Sequence, residues 1–123
     1  PEVVSKEPLG PVVRNGDEDW FKIVRWSLFA LLNAEELGIT SGNIDELKGS
    51  STDPNIRRLI GLEGIKGQGL GLSDEWAYNI VKQVGNYSEV FERNVGKGSP
   101  LGIARGLNAL WSDGGIQYAP PIR

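Results

Sequence analysis

The stretch from Leu9 to Gly38 constrains the fold of this chain more than any other. Leu9–Arg14 contains Val12 and Val13 and is broken by Pro11 after Pro8, so it reads as an extended strand whose edge groups are only partly paired. Asn15-Gly16 signals a turn. Asp17 then offers an N-cap, and Glu18 and Asp19 occupy the first turn, where the helix dipole favours negative charge. Trp20, Ile23, Val24, Ser27, Leu28, Leu31 and Ala34 recur at helical spacing, and Gly38 supplies the stop. Trp26, Phe29, Ala30 and Leu32 widen the apolar surface beyond one stripe, which predicts a mostly buried helix over 17–37. A lone strand with no visible partner suggests a chain that starts midway through a larger design. The Pro1 start, without an initiator methionine, agrees with that expectation.

From residue 39 the text changes to short helices cut by glycines. Thr40–Lys48 permits a turn or two around Ile44 and Leu47. Asp53-Pro54, a cap followed by proline at the first helical position, opens a helix that Gly61 ends. Residues 61–71 hold five glycines in eleven and read as a surface loop. Ser73 is placed to cap a helix carrying Trp76, Ala77, Ile80, Val81 and Val84. Asn86 and Glu89 have capping-box spacing. Ser99-Pro100 predicts a further helix over Leu101–Trp111, and Ile116–Arg123 an extended tail. The expected fold class is mainly α, with one strand and about five or six helices.

Composition narrows the functions. Net charge is −3, and Arg57-Arg58 is the only adjacent basic pair, a poor match to a surface that must neutralise phosphates. No apolar run approaches the roughly 18–20 residues that a membrane span requires. With neither Cys nor His there is no thiolate or imidazole to ligate a metal, no thiol nucleophile, and no base that titrates unaided near neutrality.

The remaining candidates each have a plainer reading. The glycine loop lacks the spacing of a phosphate cradle, and no strand precedes it. Acids cluster at Asp17/Glu18/Asp19, Glu35/Glu36 and Asp74/Glu75, and a glycosidase would need two carboxylates across a cleft. The first and third clusters lie where helix starts attract acids anyway. Glu35/Glu36, near the end of the long helix, is the less ordinary placement, and together with the Trp content it is the sole support for a lysozyme-like enzyme. Trp20, Trp26, Trp76 and Trp111 could line a ring-binding groove, but each falls among other apolar residues and is expected to anchor the core. Gly102 and Gly106 have the small-xxx-small spacing of close helix packing, and Asn86-Tyr-Ser88 is formally a glycosylation sequon. No catalytic residue, metal ligand or cofactor site emerges, which leaves binding or structural work.

The residues do resemble a known family. Gly10-Pro-Val-Val-Arg-Asn-Gly-Asp17 is similar to the G-x-x-V-R-x-G-D strand-to-helix return of periplasmic amino-acid-binding proteins of ABC importers. Asn33–Gly38, Trp76–Ile80, Lys82–Tyr87, Val90–Pro100, Ala104–Trp111 and Gln117–Arg123 resemble the general L-amino-acid-binding subgroup (solute-binding protein family 3). The resemblance implies the C-terminal part of a two-lobed α/β fold, the type II periplasmic-binding-protein fold. In it, residues 1–38 would be a hinge-crossing strand and lobe-one helix, and 39–123 a helical C-terminal extension. It also implies a non-enzymatic bacterial periplasmic transport protein whose partners are an amino acid and an ABC permease, without nucleic acid or membrane insertion. The family's ligand clamps come from upstream segments, so no ligand-binding residue is matched here; Glu7 is the only acid near the expected cleft. A strand and helix without their sheet would leave residues 9–37 prone to self-association. The competing expectation is a free-standing helical interaction module.

Overall fold

A computed structural model describes residues 9–64 and 67–122. Five α-helices run in order: α1 (Glu18–Glu36), α2 (Ile44–Ser50), α3 (Pro54–Leu59), α4 (Trp76–Val84) and α5 (Tyr87–Asn94). Short 3₁₀ turns lie at Gly67–Leu70, Gly106–Asn108 and Trp111–Asp113. The chain is thus mainly helical, as expected. The described residues contain one isolated parallel bridge, Leu110 to Gln117, and no multi-residue strand.

Local chemistry explains the helix boundaries. The Asp17 carboxylate accepts from the Trp20 amide at 3.1 Å and starts α1. At the other end, Gly38 takes φ +67°, its amide donates to Glu35, and Ile39 donates to Ala34 at 2.8 Å. That is a Schellman closure, and it turns Ile39 inward against Ala34, both fully buried. Asp53 caps α3 through the Asn55 amide, with Pro54 at the first position. Gly61 ends α3 in the same manner as Gly38, with Leu62 donating to Arg57.

The main core gathers Ala30, Ala34, Ile39, Ile44, Leu59, Ile60, Trp76, Ala77 and Val81 from α1 to α4. A second cluster joins Leu32 to Leu110 and Ala119, bringing the tail against α1. α1 packs on α4, α5 and α3. Asn33, itself buried, donates to Pro120 O at 2.9 Å and to Phe29 O at 2.8 Å, so the tail is tied to the helix as well as packed on it.

Four expectations need correction. Residues 9–14 form no strand, because among the described residues there is no neighbouring strand to pair with them. Only the C-terminal part of α1 is buried; its first turns lie open and Phe21 is exposed. Trp20 and Trp111 are 52% and 54% exposed, so only Trp26 and Trp76 serve the core. Leu101–Trp111 is not a helix. Gly102 and Gly106 adopt φ +57° and +48°, outside helical geometry, and the Ser99 hydroxyl accepts from the Leu101 amide without starting a helix. A smaller departure concerns α4, where Ser73 contributes only its carbonyl to Trp76 and Glu75 takes the cap position.

Candidate functional site

Three features organise the surface. The first is the junction of α1, α5 and the loop that replaces the expected helix. Arg105 Nη2 lies 3.0 Å from one Glu35 carboxylate oxygen and 3.2 Å from the other, and both side chains are largely buried. The guanidinium also donates to Asn108 O and sits 5.2 Å from the ring centroids of both Tyr87 and Phe91. A guanidinium satisfies these contacts at once because its planar face meets rings while its edge meets oxygens. Glu35 is therefore a structural partner of Arg105, and its position near a helix end is explained without catalysis.

The second feature is a cleft of about 330 Å³ between the end of α1, α3 and the tail, bordered by Asn33, Glu36, Asn55, Leu59, Trp111 and Tyr118. Trp111 and Tyr118 meet edge to face, with centroids 6.4 Å apart. The lining contains one carboxylate, Glu36, and no Lys or Arg. A zwitterionic amino acid needs a cation for its carboxylate and an acid for its ammonium, and this cleft offers one half of that pair.

The third is a shallow apolar groove of about 130 Å³ on the open side of α1, lined by Pro11, Val13, Phe21, Val24, Arg25 and Leu28. It is the face that an amphipathic helix normally buries against a sheet. Trp20 stands exposed on the same helix.

Several other acids have local partners. Asp17 is the cap, and Asp19 pairs with Lys22 at 3.2 Å. Glu75 pairs with Lys48 at 2.5 Å across to α2. Asp45 accepts from Lys82 and from the Tyr78 hydroxyl, and these bonds hold its carboxyl below the usual range and raise both partners. The Asn86/Glu89 capping box is fully formed, and it reaches further than its spacing foretold. Asn86 Nδ2 also donates to Ile39 O at 2.8 Å, and Glu89 receives the Ser41 hydroxyl at 2.6 Å and the Ser41 amide. Burial pushes the Glu89 carboxyl up, but the bonds from Ser41 and Asn86 outweigh it and leave the carboxyl below its ordinary value. A sequon asparagine engaged in this way is a structural residue.

The sequence reading brought no ligand residues together, and Glu7 lies outside the described residues. It missed Arg105, whose only sequence signal was its isolation among glycines in an otherwise apolar segment. Among the described residues no group of three or more potential metal-ligating side chains converges, and no helix is long and apolar enough to cross a membrane.

No protein-family model matches the chain. Its whole length aligns with longer proteins. YhdW of Escherichia coli (strain K12) is 65% identical over 123 residues. The general L-amino acid-binding periplasmic protein AapJ of Rhizobium johnstonii is 62% identical over 125 aligned positions. The glutamate/glutamine/aspartate/asparagine-binding protein BztA of Rhodobacter capsulatus is 55% identical over 123. The chain spans 36% of the length of each. Among solved structures, an ABC transporter/periplasmic binding protein from Brucella ovis with glutathione bound matches with a TM-score of 0.93 and 56% identity. That match covers all of this chain and 39% of the other. The relatives are transporter-binding proteins, not enzymes. The chain is therefore a homologue, over 36% of their length, of amino-acid-binding proteins, among them YhdW, which is described as an amino-acid ABC transporter-binding protein.

Proposed function

We propose that this chain is the C-terminal part of a bacterial periplasmic protein that captures L-amino acids and delivers them to an ABC permease. The observation that carries the reading is the match along the entire chain, at 56% identity and a TM-score of 0.93, to part of a ligand-bound periplasmic binding protein. In this reading residues 1–38 supply the second hinge crossing and a lobe-one helix, and 39–123 form an extension packed behind it. The open groove on α1 supports that arrangement, since the rest of lobe one would cover Val24, Phe21 and Leu28. In this reading the ligand clamps come from segments upstream of this chain.

The named ligands of the relatives share one chemistry. AapJ takes L-amino acids generally, BztA takes four of them, and glutathione carries a γ-linked glutamate with free α-ammonium and α-carboxylate groups. The ligand class of the parent is thus a free amino-acid head group with a variable side chain.

Calorimetry with an amino-acid panel and glutathione, run on this chain and on a version extended upstream to its relatives' length, tests the proposal. Binding by the extended protein alone is the expected result; no binding by either sinks it. The uncovered helix further implies self-association of the isolated chain through residues 9–37. Light scattering should report a species larger than a monomer, and Phe21→Glu with Val24→Glu should return it to monomer. A monodisperse monomer without those substitutions contradicts the association.

A further inference from the structure

Asn15 and Gly16 form the turn between the extended lead-in and α1, and both are exposed. Of the eight asparagines in the chain, Asn15 alone precedes glycine; the others precede Ala, Ile, Tyr or Val. A Cβ built at Gly16 would meet no heavy atom within 4 Å beyond its chain neighbours, so nothing from the rest of the fold crowds that side of the turn. Among the described residues no hydrogen bond engages the Asn15 carboxamide or the Gly16 amide, whereas Asn33 and Asn86 are buried and bonded. The nearest restraint is a long 3.4 Å contact from the Asp17 amide to Arg14 O.

We infer that Asn15 is a site of spontaneous covalent modification, deamidating through a cyclic imide. The Gly16 backbone nitrogen attacks Asn15 Cγ, a C–N bond forms, and the side-chain nitrogen leaves as ammonia with the proton that Gly16 gives up. Water then opens the ring. Breaking the bond to Cγ gives aspartate, and breaking the bond to the main-chain carbonyl gives isoaspartate, with the backbone now routed through the side chain. Glycine permits the attack because no Cβ crowds the nitrogen and its dihedrals are free. The surrounding fold adds no brake, since exposed turns of this kind open at little free-energy cost.

The product would alter the entry to α1. A new carboxylate would stand two residues before the Asp17 cap, beside Glu18 and Asp19, and the isoaspartate form would add one methylene to the main chain there. On the reading proposed above, that position is where the hinge crossing hands over to lobe one. The modification itself does not depend on that reading.

Peptide mapping by mass spectrometry on the intact chain held at mildly alkaline pH tests the inference. An isoaspartate-specific methyltransferase and a labelled methyl donor would identify the branched product. Asn15 should deamidate at least about tenfold faster than any other asparagine, and within about threefold of its rate in the urea-unfolded chain. Isoaspartate should appear at that position, and Asn15→Gln should remove nearly all methyl acceptance. A folded-state rate at Asn15 suppressed tenfold or more against the unfolded chain, or no faster than at Asn43 or Asn108, overturns it. The same mapping on the upstream-extended protein shows whether the turn stays open there, and protection of Asn15 in that protein would overturn the inference for the parent.

Discussion

Arg105 and Glu35, seventy positions apart, meet at 3.0 Å in a pocket walled by Tyr87 and Phe91. This pair fixes a loop that has almost no regular structure of its own onto two helices. Removing the guanidinium leaves a largely buried carboxylate without its partner. Arg105→Ala should therefore cost about 2–3 kcal/mol, somewhat below the loss seen for fully buried pairs. Arg105→Lys should recover under half of that, because an ammonium has no planar face to lay against two rings while it bonds both Glu35 and Asn108 O. Urea unfolding of the three proteins checks the order; equal stability of wild type and Arg105→Lys would dismiss the geometric argument.

The Asn86 side chain performs two tasks, capping α5 and holding Ile39 O. Asn86→Ala should cost about 2 kcal/mol, since it forfeits a cap and leaves a buried carbonyl unpaired. Asn86→Asp keeps the acceptor but cannot donate to Ile39 O, so it should remain well below wild type. Thermal melts at fixed pH distinguish the two substitutions.

Glu89 sets a pH dependence whose sign is fixed. Its folded carboxyl titrates below the unfolded one, so its contribution is present above the unfolded value, near 4.5. It fades as pH falls through the folded value, because the unfolded chain binds the proton more readily. Glu89→Gln should flatten the acid side of the stability profile and lower the plateau near neutrality. An unchanged acid limb in the variant would assign that limb to other carboxylates.

Two glycines with similar dihedrals should respond differently to alanine. A Cβ at Gly61 would stand 2.1 Å from Asp74 O, and one at Gly38 would meet nothing within 4 Å. Gly38→Ala should lose about 1 kcal/mol from the left-handed backbone alone. Gly61→Ala must also push α3 from the turn before α4, and about 3 kcal/mol is expected. Comparable losses at both sites would mean that the backbone at Gly61 yields easily.

Helix caps were the most legible part of this molecule. Asp17, Gly38, Asp53-Pro54 and Asn86/Glu89 act by contacts within a few residues, so their spacing carries the information. Ser99-Pro100 looks the same locally and fails, because Gly102 and Gly106 are recruited to left-handed turns that deliver Arg105 to Glu35. That choice is made by a contact across the chain, which no local pattern encodes. Trp111 misled for a related reason: its apolar neighbours in sequence suggested a helix face, and without the helix it lies on the surface beside Tyr118.

The bond from Asn33 to Pro120 links positions 87 apart, and Ile122 packs against the same core that α1 begins. A chain emerging from a ribosome or a secretion channel exposes the helix long before the tail arrives. Until then the Asn33 amide, Leu32 and the cleft beside them face water. The native packing of this segment is therefore a late event of synthesis, and a chaperone or protease encounters the helix first.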